Sequence, residues 1–231
     1  MNSNWIIGLK DFQLTKEIET KLQRYYQLII EYNQKFNLTT ITETVEVYYK
    51  HFYDALLITN VIKLDDQTLC DVGSGLGIPG IVLKICFPNL KLSIVEANQK
   101  KCQFLKVVID DLKLQDVDII NQRAEIFAQH HREFFDLVVA RAVASLNILS
   151  EICLPLVKIS GKFVAYKALN VNSELNHINR SLSILGATLI KQESYQLPKN
   201  YGTRNLLIFQ KQKLTPLKYP RPYQQIKNKP L

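Results

Sequence analysis

After Glu193 this sequence has no acidic residue. Eight basic residues follow: Lys199, Arg204, Lys211, Lys213, Lys218, Arg221, Lys227 and Lys229. They equal the whole formal excess of +8, because residues 1–193 hold 21 basic and 21 acidic side chains. A neutral body with a basic end is the electrostatic footprint of a polyanion binder. Tyr219, Pro220, Pro222 and Tyr223 lie among these charges, which a purely solubilising end does not require. Cysteine is scarce: Cys70, Cys86, Cys102 and Cys153 show no C-x-x-C spacing and sit in apolar or helical surroundings. That argues against a disulfide frame or a metal site and for reduced packing residues in a cytoplasmic protein. No apolar run approaches the ~20 residues of a membrane span. The first residues show no basic stretch followed by an apolar one, so neither a membrane anchor nor a signal peptide is expected. At 231 residues and 47% hydrophobic, the chain suits one large domain or a domain with a helical extension.

Glycine is sparse as well, yet four of the eight fall in the run D-V-G-S-G-L-G-I-P-G from Asp71 to Gly80. The apolar Thr68–Cys70 precedes it, and Ile78, Ile81, Val82 and Ile85 follow at helical spacing, so it reads as strand, tight turn, helix. Glycines in such a turn take φ > 0 and let a ligand lie against backbone. The helix aims free N–H groups and its positive end at that ligand, and Pro79 suits its first turn. A nucleoside-triphosphate loop is excluded, because Ile81 and Val82, not Lys-Ser/Thr, follow Gly80. A dinucleotide loop matches formally, with Gly75, Gly77 and Gly80 as G-x-G-x-x-G. S-adenosylmethionine (SAM) fits better. Asp71 stands one residue before Gly73-x-Gly75, where an acid favours ammonium and sulfonium groups and repels a pyrophosphate.

The first 60 residues read as helical. Ile18, Leu22, Tyr25, Ile29, Tyr32 and Phe36 form one apolar stripe with Thr15 as a plausible N-cap. Residues 37–40 break the pattern, and a second helix over 43–62 carries His51 and Asp54 on one face, a pair that reads more simply as a packing hydrogen bond than as a catalytic dyad. From Thr68 onward, strands at 68–70, 90–95, 117–120, 135–140 and 161–166 alternate with helical segments, among them 100–114 and 171–185. Residues 188–190 and 206–209 supply an antiparallel pair. The fold expected is therefore α/β, a Rossmann-like, mainly parallel seven-stranded sheet. Its divisions fall at 1–64 (helical extension), 65–212 (sheet domain) and 213–231 (basic tail). Glu96, ending the second strand, is placed to accept hydrogen bonds from ribose hydroxyls, and Ala124 and Glu125 follow the third within reach of an adenine edge. The fourth and fifth strands deliver Arg141 and Lys167 to the edge where ligands bind in open α/β sheets. Arg141 there either pairs with Asp136 or fixes the site and faces an anionic substrate.

Together, the run 71–80, R-A-V-A-S-L at 141–146, Tyr166-Lys167, N-L-T at 37–39 with His51-x-x-Asp54, and the ending K-Y-P-R at 218–221 resemble one family. It is the bacterial small-subunit rRNA methyltransferase G (RsmG, or GidB) family. The resemblance implies a class I SAM-dependent methyltransferase with an N-terminal helical extension, acting on N7 of one guanine in the decoding-site loop of 16S rRNA. It implies SAM contacts at Gly73, Ile78, Ala124, Glu125 and Arg141, beside Asp71, Gly75 and Glu96. Glu96 stands where several members have Asp, and the tail continues P-Y-Q-Q where a Gly-Pro-rich continuation is expected. Guanine N7 offers a lone pair and no proton, so its attack requires no general base. Lys167 and Arg141 are then expected to position the substrate, through donors to phosphate or guanine O6. Arg204, Lys211, Lys213, Lys218 and Arg221 are expected to bind RNA. The partner implied is 16S rRNA or the 30S subunit, and a monomer is expected. Two other readings stay open, an NAD-dependent oxidoreductase and a catalytically silent ribosome-binding factor, and cofactor titration separates them.

Overall fold

The computed structural model describes residues 3–9, 12–168, 171–176 and 178–231. Helix α1 (Lys16–Phe36) starts where Thr15 Oγ1 accepts from Ile18 N at 3.3 Å and stops at Asn37, whose left-handed backbone (φ 49°) ends the repeat. The second helical stretch passes through α2 (Thr44–Val47), a π-helical segment (Tyr48–Tyr53), α3 (Asp54–Leu56) and a 3-10 turn (Leu57–Asn60). Then come β1 (Thr68–Val72), α4 (Gly80–Cys86), β2 (Lys91–Val95), α5 (Gln99–Leu112), β3 (Val117–Ile120), α6 (Ala124–His130), β4 (Phe135–Arg141) and α7 (Leu146–Cys153). The chain ends with β5 (Val157–Lys167), α8 (Val171–Leu175), α9 (Asn179–Leu185), β6 (Ala187–Gln196), β7 (Thr203–Lys211) and α10 (Tyr223–Asn228). The single helix expected over 171–185 is thus two, with His177 between them outside the described residues.

The seven strands lie in the order β3-β2-β1-β4-β5-β7-β6, with β7 antiparallel to both of its neighbours and the other pairings parallel. The register sets Val72 beside Val95 and Ala140, and Arg141 beside Tyr166, so the carboxyl ends of four strands share one edge. Between β1 and β4 the order reverses, and such switch points open the crevice in which ligands of α/β sheets bind.

Period-two alternation divides the strand side chains between two cores. Leu69, Leu92, Ile94, Leu137, Val139, Val164, Leu206 and Ile208 face α4 and α5, while Cys70, Val72, Val95, Val138, Ala140, Phe163, Leu207 and Phe209 face α6, α7 and α9. Residues of the expected N-terminal extension, among them Trp5, Leu22, Tyr25, Phe52 and Leu56, belong to the first core without a break. Tyr25 of α1 even donates its hydroxyl to Leu76 O in the glycine loop. The extension is therefore a covering layer of the sheet.

The basic end is likewise docked on the body, which corrects the reading of 213–231 as a tail. Tyr219 and Ile226 are buried in the second core. Arg132 donates to Tyr219 O and Thr215 O at 2.5 and 2.6 Å. Arg221 grips the fully buried Glu151 through Nε (2.8 Å), Nη2 (2.6 Å) and its backbone N (3.0 Å). Lys211 is buried, with Nζ on Leu154 O at 2.7 Å and on Thr215 Oγ1; burial pushes its ammonium down to about 8 against the pull of Glu133. Lys211 is buried away from any RNA phosphate, and Arg221 already commits Nε and Nη2 to the buried Glu151. Arg221→Ala strands the Glu151 carboxylate, so it should cost about 3–5 kcal/mol in a urea titration, whereas Lys218→Ala, at an exposed position, should cost less than about 0.5.

Candidate functional site

The glycine loop is held from below. Asp71 is fully buried, and its Oδ2 accepts from Ser74 Oγ and from Gly80 N at 2.8 Å. Burial raises its carboxyl to about 6, with the Ser74 and Gly80 bonds opposing, while Oδ1 is left without a partner. A Cβ on Gly80 would stand 2.7 Å from Asp71 Oδ2, so only glycine lets this pairing close. Asp71 was expected to touch a cofactor. It lies instead under the loop, where it fixes the loop's shape and contributes negative potential. The Ile78 side chain is buried in the first core, which leaves its backbone to meet a ligand. Gly75 differs from its neighbours. At φ +62°, a Cβ there would meet nothing nearer than Lys101 Nζ at 4.0 Å, so its backbone faces open space.

Beside it, with Lys101 common to both, lies a groove of about 300 Å³, whose walls include Gly73, Glu96, Ala124, Glu125, Val143 and Tyr223. Glu96 ties two loops together, with Oε2 accepting from Gly75 N (2.9 Å) and Oε1 from Asn98 N (2.7 Å). Each carboxylate oxygen keeps a second lone pair, so a ribose diol can still be bound. Glu125 is buried and accepts from Arg123 Nε at 3.1 Å. Val143 closes the floor, because a Cβ on Gly73 would come within 2.7 Å of its Cγ2.

Ala142, held at φ +56°, belongs both to this groove and to a second pocket of about 320 Å³ that contains Arg141, Lys167, Arg204, Asp54, Tyr166 and Glu174. Arg141 points away from the groove walls into this pocket. Its Nη2 donates to His51 Nδ1 at 2.8 Å, and Nη1 lies 3.1 Å from Asp54 Oδ2 as an ion pair without hydrogen-bond alignment. Arg204 Nε is 3.7 Å from the same Oδ2. Lys167 bridges Glu174 Oε2 (2.9 Å) and Ala144 O (3.1 Å). Asp136, the partner considered for Arg141, instead accepts from Thr68 N and Oγ1 at 2.9 and 2.6 Å and pairs with Lys158. His51 and Asp54 are therefore two ligands of one guanidinium. Because Nδ1 accepts, the ring proton sits on Nε2. Burial and Arg141 together push this imidazole down to about 4, and burial raises the Asp54 carboxyl against the pull of Arg141 and Arg204. His51 Nε2, Asp54 Oδ1, Asp71 Oδ1 and Arg141 Nη1 are buried without hydrogen-bond partners, a concentration of unmet polar capacity around the groove and pocket.

The site thus brings Gly73, Glu96, Ala124 and Glu125 to one groove, with Gly75 tied to it through Glu96, and Arg141, Lys167 and Arg204 to the adjoining pocket. It leaves Lys213 and Lys218 exposed elsewhere, with Lys213 beside Gly186 and Thr188 at the far end of the sheet. Tyr223 and the grip of His51 and Asp54 on Arg141 were not anticipated. The His51-x-x-Asp54 spacing was the signal for the grip, and the aromatic residue in a basic, Pro-bracketed segment was the signal for Tyr223. Among the described residues, no group of three His, Cys, Asp or Glu side chains is placed to hold a metal ion, and no helix is long and apolar enough to cross a membrane.

A parallel sheet with an antiparallel seventh strand, a glycine loop braced by an acid and a second acid at the end of β2 define a class I SAM-dependent methyltransferase. Solved structures share this fold: M. jannaschii TYW2 in complex with AdoMet (TM-score 0.58, 17% identity, 74% of this chain and 79% of that one) and ribosomal protein L11 methylase from Lactobacillus delbrueckii subsp. bulgaricus (0.53, 17%, 71% and 79%). Residues 18–204 match the model of the GidB family, rRNA small subunit methyltransferase G, and the chain belongs to that family. It is 45% identical over 228 residues to ribosomal RNA small subunit methyltransferase G of Mycoplasma capricolum subsp. capricolum, covering 98% of both chains. To the protein of that name from Staphylococcus aureus (strain Newman) it is 44% identical over 213 residues, covering 91% of this chain and 89% of that one. The dinucleotide reading of Gly75, Gly77 and Gly80 falls away with this assignment.

The site fits SAM: open backbone at Gly75, a carboxylate with free lone pairs at Glu96 in the groove and buried negative charge at Asp71 below the loop. Gly75→Val places a branched side chain in that opening and resists φ > 0, so it should abolish SAM binding in calorimetric titration of the folded variant, and unchanged affinity would refute the loop assignment. The His51 pKa is depressed from 6.5 to about 4, so its contribution to stability is present above the unfolded pKa and is lost as pH falls toward 4. His51→Asn keeps an acceptor for Arg141 without titrating. The difference in unfolding free energy between wild type and this variant should shrink by about 2–3 kcal/mol between pH 7 and pH 4.

Proposed function

We propose that the protein transfers a methyl group from SAM to N7 of a guanine in small-subunit rRNA, with SAM in the groove and the guanine nucleotide in the Arg141 pocket. The observation that carries this reading is the shared wall at Ala142, which sets the groove of Gly73 and Glu96 directly against a pocket containing Arg141, Lys167 and Arg204. SAM supplies an electrophilic methyl on its sulfonium. The chain's own part is to hold and orient. Glu96 accepts from the ribose, Ala124 and Glu125 meet the adenine edge, and Arg141 and Lys167 donate to guanine O6 or to phosphate. Guanine N7 brings no proton, so no side chain has to remove one. His51, depressed to about 4 and committed to Arg141, stays a neutral acceptor that orients the guanidinium. The catalytic effect is alignment, a contribution of up to ~7–11 kcal/mol where the geometry is good.

The acids in the pocket refine this role. Asp54 and Glu174 hold Arg141, Arg204 and Lys167 in place, so RNA meets preset donors and not mobile charges. With Lys211 and Arg221 withdrawn into the fold, the proposed RNA contact shifts toward Arg204 and Lys167 at the sheet edge, with Lys213 and Lys218 more remote. The assembled 30S subunit as substrate, a monomeric enzyme and a cytoplasmic location belong to the same proposal.

Purified protein should transfer labelled methyl from SAM to small-subunit rRNA. N7-methylguanine is cationic, so mild reduction followed by aniline should cleave the strand at the modified position. A strand that incorporates label but resists cleavage would place the methyl elsewhere. Incorporation into neither free rRNA nor 30S particles, with SAM bound, would favour a silent binding factor. Lys167→Ala should lower turnover roughly 10- to 150-fold, the loss of one charged donor worth ~1.5–3 kcal/mol, and leave SAM affinity nearly unchanged.

A further inference from the structure

Tyr223 reaches the cofactor groove from beyond the last strand of the sheet. It is fixed on both sides. Two residues before it Arg221 grips Glu151, and three residues after it Ile226 is fully buried in the second core. One face of its ring is covered by the Arg123 guanidinium, with Cζ 4.1 Å from the ring centroid. Arg123 Nε in turn donates to Glu125 Oε1 at 3.1 Å, so the ring is stacked on the residue that precedes Ala124 and Glu125 in the groove wall. An ion pair, a buried anchor and a stacked cation hold in place an aromatic ring that is itself only half buried. A solvated basic end has no need of such an arrangement.

We infer that Tyr223 is the aromatic wall of the adenine end of the SAM site, so that the segment after β7 takes part in cofactor recognition. The inference rests on the SAM reading of the groove and adds a residue to it. Adenine is a flat π system, and a tyrosine ring offers it a flat apolar surface at little cost in conformational freedom. Arg123, stacked on one face of the ring and tied to Glu125, keeps the ring from swinging out. One charge of the segment then has a structural use: Arg221 satisfies the buried Glu151 and sets the position of Tyr223.

Calorimetric titration of the full chain with SAM and with 5′-methylthioadenosine, which keeps the adenosine and lacks the amino-acid part, tests this. Tyr223→Ala should weaken both ligands by a similar factor, about 5- to 100-fold by analogy with base–aromatic stacking. Tyr223→Phe should retain most of the wild-type affinity, and Lys218→Ala should retain all of it. Affinity for an rRNA fragment, measured without SAM, should change less than twofold in Tyr223→Ala. Wild-type affinity for both ligands in Tyr223→Ala would overturn the inference, as would a loss confined to SAM or a loss in Tyr223→Phe equal to that in Tyr223→Ala. Tyr223→Leu, which keeps apolar bulk without the ring, serves if the alanine variant does not fold, and should weaken both ligands more than Tyr223→Phe does and by less than about 100-fold. Wild type that binds neither ligand would instead refute the SAM reading itself.

Discussion

The structure turns on one buried carboxylate. Asp71 holds the start of α4 by accepting from Gly80 N, and it holds the turn before it through Ser74. A hydrogen bond to a charged group contributes about 1.5–3 kcal/mol, and the loop concentrates two of them on a single oxygen. The cost is a carboxylate removed from water, visible in a pKa raised to about 6. Everything facing the ligand follows from that brace. Gly75 is aimed outward, its N–H is offered to Glu96, and Gly77 is pressed so closely on α4 and α5 that a Cβ would meet Ile81 Cγ1 at 2.5 Å. The acid therefore acts first on the loop's shape and only through its field on a cationic ligand.

The second pocket obeys a related rule with the signs reversed. Three cations, Arg141, Lys167 and Arg204, are each matched to an acid, and two of them share Asp54. Such pairing lowers the pocket's net potential, yet it fixes the direction of every donor. Precision is favoured over raw attraction, as a reaction governed by alignment requires. The helical layer before the sheet is part of this device, because His51 and Asp54 come from the π-helical segment and α3. The extra residue per turn of a π segment is a recurrent feature of functional sites in helices.

The sheet was legible because its signals are local and redundant: apolar runs of strand length, each followed by a helical period, and a glycine loop with few chemical interpretations. The groove residues were legible for the same reason, since ends of strands can be counted along a chain. What could not be read was who meets whom across the sheet. Asp136 and Asp54 are equally acidic in sequence, and only the packing of the N-terminal layer over β4 selects Asp54 as the partner of Arg141. The basic end misled through its composition. Charge counted along a chain records nothing of burial, and Lys211 and Arg221 contribute to the excess while facing Leu154 O and Glu151. Ile78 carries a related lesson: a position can border a ligand loop while its side chain belongs to the core.

The docking of the segment after β7 has a consequence for the order in which the molecule is made. A ribosome delivers the chain from its amino end, so all seven strands emerge before Tyr219, Arg221 and Tyr223 do. The sheet can pair and the glycine loop can close on Asp71 while one side of the groove is still missing. Until the segment arrives, Glu151 is an unmatched acid in the interior and Arg123 has no ring to lie on. A nascent chain therefore holds a nearly finished fold with an unfinished groove, and a segment made only after all seven strands completes it.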